Sequence, residues 1–157
     1  MADAKFDPLG LLATLDRHRV AYIVVGAFAR VVQGAEEITR GVDIVPSTRP
    51  ENLRRLAGAL EDVSARGPAL TEERAVCEYA TDRGELKVVP QPEGTAGYED
   101  LRRAATREPL GQGLRPSVAS TADLARMLAA LGREEDRPKL RALRLLMELE
   151  RGLSLEL

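Results

Sequence analysis

Hydrophobic residues recur along this chain at two spacings, one typical of strands and one typical of helices. An unbroken apolar run over 20–25 predicts a strand buried on both faces. The segment 42–45, which is apolar except for Asp43 and is ended by Pro46, predicts a second strand. Leucines at helical spacing predict a helix over Pro8–Arg17, where Asp7 can cap the first turn.

The middle of the chain continues this alternation. A short helix over 27–33 follows Gly26, and a longer helix over 50–65 follows the second strand. Segments 75–80 and 85–89 flank the turn 81–84, which predicts a hairpin. Beyond it we expect a short helix over 98–105, an irregular segment over 107–115 and a short strand at Val118.

Two helices are predicted to close the chain. Ser120 or Thr121 caps a helix that runs to Leu131. After Gly132, residues 136–151 form a last amphipathic helix, and its inward positions are Leu140, Leu143, Met147 and Leu149. The order of elements predicts an α/β (α+β) fold with a small mixed sheet flanked by helices. We expect one domain over 1–157, with a core over about 8–118 and a C-terminal helical segment over about 120–152.

Composition narrows the classes of function. The chain has 157 residues, 44% hydrophobic and 31% charged, as in ordinary globular proteins. A net charge of -2 argues against binding nucleic acid through bulk electrostatics. The single Cys77 fits a reducing compartment, and the sequence offers neither a membrane-spanning run nor a signal peptide, so a cytoplasmic location without membrane partners is expected. The single His18 leaves zinc sites and histidine triads without partners.

One segment carries most of the candidate chemistry. Residues 22–46 read YIVVGAFARVVQGAEEITRGVDIVP, with Gly26 after the first strand and Asp43 on the second. This segment resembles the opening of the nucleotidyltransferase fold, in particular the small bacterial nucleotidyltransferases of the AbiEii abortive-infection toxin type. Three later segments are also similar to that family: ENLRRLAGAL, GELKVVPQPEGTAGYEDLRRAA and STADLARMLAALGREEDRPKL.

The resemblance implies a nucleoside triphosphate (NTP) as ligand and Mg²⁺ as cofactor. The family carries Asp-x-Asp on the second strand and a third carboxylate on a neighbouring strand, which share the metal ions. This chain has Gly41 at the first Asp position and Lys87 at the third. Ala27 stands where the family has Gly or Ser, Glu37 where it often has Arg, and Leu128 where a Lys is common.

The resemblance also assigns roles residue by residue. It places the nucleotide against Gly26, Ala27, Thr39, Arg40 and Lys87. Asp43 keeps the second carboxylate. Glu85 lies two residues before Lys87 and on the same side of its strand. It can act together with Asp43 as a catalytic and metal-binding group. Lys87 close to Asp43 would be attracted by about 4 kcal/mol at 4 Å before desolvation, and could fill the electrostatic role of the metal.

Each of these residues has a simpler interpretation as well. Gly26 can serve close packing of strand and helix. Glu85 and Lys87 can be one solvated strand face, whereas a buried Asp43 needs a partner because a lone buried carboxylate is costly.

Three hypotheses stay open. The favoured one is a catalytically impaired nucleotidyltransferase-fold protein that binds a nucleotide or a protein partner, in a toxin–antitoxin or regulatory setting. The second is an active metal-dependent enzyme that transfers NMP to a nucleic acid, a protein or a small molecule. The third is a structural interaction protein with a vestigial pocket. The first is favoured because the family's carboxylates stabilise the phosphoryl transition state, and this chain lacks two of them.

Overall fold

The computed structural model describes residues 5–70 and 75–156. Its helices are α1 Pro8–Arg17, α2 Gly26–Val32, α3 Pro50–Asp62, α4 Tyr98–Leu101, α5 Thr121–Leu131 and α6 Arg137–Glu156. Its strands are β1 Tyr22–Val25, β2 Gly41–Pro46, β3 Cys77–Thr81, β4 Gly84–Val88, β5 Thr106–Arg107 and β6 Ser117–Val118. A 3-10 turn, Glu134–Asp136, precedes α6.

The strands of the described residues form one mixed sheet in the order β3-β4-β2-β1-β6-β5. β2 pairs antiparallel with β1 and parallel with β4, so it lies near the centre of the sheet. The parallel pairing sets Asp43 beside Lys87 and Gly41 beside Glu85. This register decides the geometry of the candidate site.

Alternation along β2, β3 and β4 separates the core from an open face. Val42 and Ile44 of β2 are fully buried, as are Leu86 and Val88 of β4. The residues that alternate with the buried ones are partly or fully exposed up to Asp43 on β2 and along β3 and β4, whereas Val45 near the end of β2 is buried again. β1 is buried at all four positions, as the unbroken apolar run predicts. Cys77 is buried as well.

The mixed α/β fold is confirmed, and several predicted boundaries are corrected. β1 begins at Tyr22 rather than at 20, and β3 begins at Cys77 rather than at 75. α3 ends at Asp62 rather than at 65, because Val63 and the left-handed Ser64 (φ 52°) turn the chain. α4 is a single turn that ends at Leu101 rather than at 105.

Two further corrections concern the second half of the chain. Segment 107–115, predicted to be irregular, opens with the end of strand β5, which pairs with β6. Leu149, predicted to point inward, is 64% exposed, because α6 packs against the core mainly through residues before 148. The helices of the described residues are all too short or too polar to cross a bilayer.

Candidate functional site

The open face of β3, β4 and β2 carries a row of alternating charges. Glu78, Lys87 and Asp43 are neighbouring Cα partners across the three strands. Lys87 Nζ lies 3.7 Å from Glu78 Oε1, and this is the ion pair that the structure gives to Lys87. The direct Lys87–Asp43 ion pair expected from the sequence is therefore replaced by a through-space attraction, while the ammonium leans toward β3.

Asp43 lies directly over the start of α2. Gly26, the first residue of α2, has φ +73°, a backbone conformation that favours glycine. A Cβ atom at Gly26 would contact Asp43 Oδ2 and lie 2.9 Å from Asp43 Cγ. Both the backbone conformation and the space at position 26 therefore require glycine when Asp43 occupies this place.

Burial raises the pKa of the Asp43 carboxyl above its ordinary value. Lys87 and, more weakly, Arg30 lower this pKa, whereas Glu78 raises it. The two cations thus offset part of the cost of holding a partly buried carboxylate, and the pKa stays raised.

Arg30 is a member of this charge system that the sequence reasoning missed. Its side chain is only 9% exposed, and it donates to Glu37 at 2.6 Å (Nε–Oε2) and 3.0 Å (Nη2–Oε1). Arg30 follows Gly26 by four residues, which places both on one face of α2, and that spacing could have indicated it. The charges therefore alternate across the site, in the order Glu78, Lys87, Asp43, Arg30 and Glu37.

Gly41 lies where β2 and β4 approach closely. A Cβ atom at Gly41 would come within 2.7 Å of the Glu85 backbone oxygen and 2.9 Å of Glu85 Cβ. A side chain at position 41 would therefore push against β4, so the packing of the two strands favours glycine here.

Two clefts open on either side of Asp43 and Lys87, and both residues line each cleft. The first cleft, of about 590 Å³, lies over β2, β3 and β4 and is rimmed by Arg40 and Arg66. The second cleft, of about 480 Å³, lies between α2, α5 and the end of β4. Its apolar wall is formed by Val76, Leu124, Met127, Leu128 and Leu131.

The predicted site residues divide between these clefts. Thr39, Arg40 and Glu85 line the first cleft, and Gly26 and Ala27 line the second. The Thr39 hydroxyl donates to the Gly41 carbonyl at 2.9 Å, so it shapes the entry to β2. The structure thus brings Asp43 together with Glu85 in one cleft and with the glycine turn in the other.

The carboxylates give a metal ion few protein ligands. Residues 5–70 and 75–156 contain no cluster of three or more His, Cys, Asp or Glu side chains that could hold a metal ion. Asp43 and Glu85 share the first cleft, but Glu85 is the strand neighbour of Gly41 rather than of Asp43. These two carboxylates fit at most one Mg²⁺ whose remaining ligands are water and substrate oxygens.

Comparison with known structures identifies the fold. LnuA, a lincosamide antibiotic adenylyltransferase solved with lincomycin bound, is similar with a TM-score of 0.65 and 14% sequence identity, over 90% of this chain and 99% of that chain. A presumptive nucleotidyltransferase from Thermotoga maritima is similar with a TM-score of 0.58 and 18% identity, over 85% of this chain and 88% of that chain. Protein-family models and curated proteins give no match. The chain therefore has the nucleotidyltransferase fold that its sequence predicts.

Proposed function

We propose that this protein binds a nucleoside triphosphate in the second cleft through its own cations, and that its site is impaired for metal-dependent nucleotidyl transfer. The observation that carries the proposal is the register of β2 and β4, which sets Lys87 beside Asp43. A cation built into the protein thus stands next to the carboxylate that the fold family uses to hold metal.

The second cleft has the chemistry that a nucleotide requires. Leucine and methionine side chains of α5 give an apolar wall that can cover a base, whose faces are themselves weakly polar. Lys87, Arg30 and Arg133 line the same cleft and oppose Asp43 and Glu93. The cleft therefore joins an apolar surface to three cationic side chains, which suits a ligand with one aromatic and one polyanionic end. Each of these cations also has a carboxylate partner, namely Glu37, Glu78 and Asp136, so a ligand phosphate would share them with these carboxylates.

The site is less suited to nucleotidyl transfer than to nucleotide binding. Nucleotidyl transfer depends on metal ions that bridge phosphate oxygens and neutralise the charge developing on them. Gly41 supplies no carboxylate, and Lys87 repels a divalent cation at the position of the third. Loss of one preorganised electrostatic group in an active site typically costs about 10²–10³ in kcat, so the loss of two should leave very little transfer.

The alternative is an active transferase that uses Asp43 and Glu85. Its support is that both carboxylates line the first cleft, where they could hold one Mg²⁺. A metal ion held there would neutralise phosphate charge, and Asp43 or Glu85 would accept the proton of the attacking group as that group bonds to the α-phosphorus and pyrophosphate leaves. Since LnuA was solved with lincomycin bound, a small molecule is the first class of acceptor to try, before nucleic acids and proteins.

We infer a toxin–antitoxin or regulatory setting with a protein partner from the resemblance of the sequence to AbiEii-type proteins. The surface that supports a partner is an apolar stripe on α6, formed by Leu145, Leu149 and Leu153, each more than 60% exposed. These residues recur every four positions and therefore lie on one side of the helix. If the cleft binds no nucleotide, this stripe favours the structural interaction protein instead.

Calorimetric titration with the four NTPs, each with and without Mg²⁺, separates these functions. Binding in EDTA supports the proposal. Binding that requires Mg²⁺ supports the active transferase, which should then transfer labelled NMP to a supplied acceptor. The absence of binding under both conditions would overturn both nucleotide-based functions.

A further inference from the structure

The loop after α5 brings an arginine to the edge of the second cleft. α5 ends at Leu131, and Gly132 turns the chain with a left-handed φ of 64°. Arg133 then lines the cleft together with Leu128 and Leu131. Arg133 is the basic side chain that α5 and the turn after it contribute to the lining of this cleft.

A buried carboxylate holds this arginine in place. Arg133 Nε lies 2.7 Å from Asp136 Oδ2, and Asp136 is only 2% exposed. The Asp136 backbone N–H donates to the Arg133 carbonyl at 3.1 Å, which closes the turn between them. Lys139 Nζ lies 3.6 Å from Asp136 Oδ1, too far for a hydrogen bond but close enough to help neutralise the carboxylate.

Asp136 remains ionised in spite of its burial. Desolvation raises the pKa of its carboxyl, but Arg133 and Lys139 outweigh that effect and hold the pKa below the ordinary value. Asp136 in turn raises the pKa of Arg133. The buried, charged Asp136 carboxylate therefore limits the conformations of the Arg133 side chain, which is 50% exposed.

We propose that Arg133 binds the phosphate groups of the nucleotide, and that Asp136 is the positioning residue that orients it. This inference rests on the nucleotide binding proposed above. The contacts of Arg133 with Asp136 and Glu135 both use Nε, so its terminal amino groups are the part that a ligand can take. A planar guanidinium donates two parallel hydrogen bonds to a phosphate, a geometry that a lysine cannot reproduce.

The test compares Arg133→Ala with a matched control, Arg137→Ala. Arg137 lies four residues later, is 70% exposed and pairs with Glu134 at 3.6 Å, and it lines neither of the two clefts described above. Each variant and the wild type are titrated in EDTA with the four NTPs, the four nucleosides and inorganic triphosphate. Arg133→Ala should weaken the NTPs and inorganic triphosphate by about tenfold or more and leave nucleoside binding unchanged. Arg137→Ala should change none of them.

Asp136→Asn provides the second arm. It should weaken NTP binding less than Arg133→Ala, and in the Arg133→Ala background it should have no further effect on binding. The inference is overturned if the wild type binds NTPs and Arg133→Ala binds them as tightly as Arg137→Ala does. It is also overturned if Arg133→Ala weakens nucleosides and NTPs equally, because the residue would then shape the cleft rather than bind phosphate. Failure of the wild type to bind any NTP would instead overturn the proposed function, and this inference with it.

Discussion

Asp43 and Lys87 are neighbouring Cα partners on β2 and β4, yet the Lys87 ammonium makes its ion pair with Glu78, 3.7 Å away on β3. Lys87 therefore forms an ion pair with Glu78 and attracts the Asp43 carboxylate electrostatically without a direct ion pair. Arg30 also lowers the pKa of Asp43, so two cations of the protein act on this carboxylate.

Asp43→Asn should stabilise the protein in a pH-dependent way. Because the folded-state pKa of Asp43 is raised above 3.8, ionising it costs stability at pH values above the folded pKa, and this cost disappears as the pH falls toward 3.8. The advantage of the Asn variant over the wild type should be largest near pH 8 and shrink on acidification. Urea unfolding between pH 4 and 8 measures it, with Asp82→Asn, in the exposed hairpin turn, as the control. A constant difference across this range would contradict the raised pKa.

Lys87→Ala should steepen the loss of stability with rising pH. Without the ammonium, the pKa of Asp43 rises further and Glu78 loses its ion pair, so the cost of charging Asp43 grows above the folded pKa. Lys87 is 42% exposed, and solvent screening limits the effect at pH 8 to about 0.5–1 kcal/mol. Arg102→Ala, which removes an exposed ion pair with Glu99, is the control. If the Lys87→Ala deficit is the same at pH 5 and pH 8, Lys87 does not act on Asp43.

Gly26→Ala should cost more stability than Gly132→Ala. Both glycines have left-handed φ, and alanine in that conformation costs about 1–2 kcal/mol. Position 132 has open space for a Cβ, whereas at position 26 the Cβ overlaps the Asp43 carboxylate, which adds about 1–3 kcal/mol. Denaturant midpoints of the two variants give the difference. The double variant Gly26→Ala/Asp43→Ala should recover most of the added cost, and its failure to do so would place the strain elsewhere.

Gly41→Ala should destabilise the protein by about 1–3 kcal/mol, because the new methyl group meets the Glu85 backbone at 2.7 Å. Gly152→Ala, on exposed α6 with no neighbour within 4 Å, should instead be neutral or stabilising by up to about 1 kcal/mol. The thermal unfolding midpoints of the two variants, each compared with the wild type, measure these changes in stability. Should Gly41→Ala match the wild type, the strands can separate to admit a side chain, and packing against β4 does not explain the glycine at position 41.

Much of the fold could be predicted because its signals are local. The unbroken run of β1 and the leucine spacing of α1 each report their own burial, and Asp7 and Ser120 accept backbone hydrogen bonds at the starts of α1 and α5 as predicted. Leu149 was misplaced because helical spacing shows which residues share a face but not where along the helix packing ends. The strand β5 was missed because two residues carry no periodicity.

The candidate site could be predicted less completely from the sequence, because it depends on pairings between distant segments. The proximity of Lys87 to Asp43 was expected from the family resemblance, not from a local pattern, because it depends on the parallel register of β2 and β4. The Lys87–Glu78 pair belongs to the β3–β4 hairpin and was within reach of the hairpin prediction. The roles inferred for Arg133 and Asp136 could not be predicted from the sequence, because they depend on the turn after α5 lying at the second cleft.

The most direct test of the central claim is the ratio of NTP affinity in EDTA to NTP affinity in Mg²⁺, measured by calorimetry for the wild type and for Lys87→Asp. We expect the wild type to bind with a ratio near one, because Lys87, Arg30 and Arg133 line the second cleft and can contact the triphosphate without a metal ion. In Lys87→Asp a third carboxylate joins Asp43 and Glu85, so binding should become dependent on Mg²⁺. Wild-type binding that disappears in EDTA would contradict the account and would identify Asp43 and Glu85 as a working metal site.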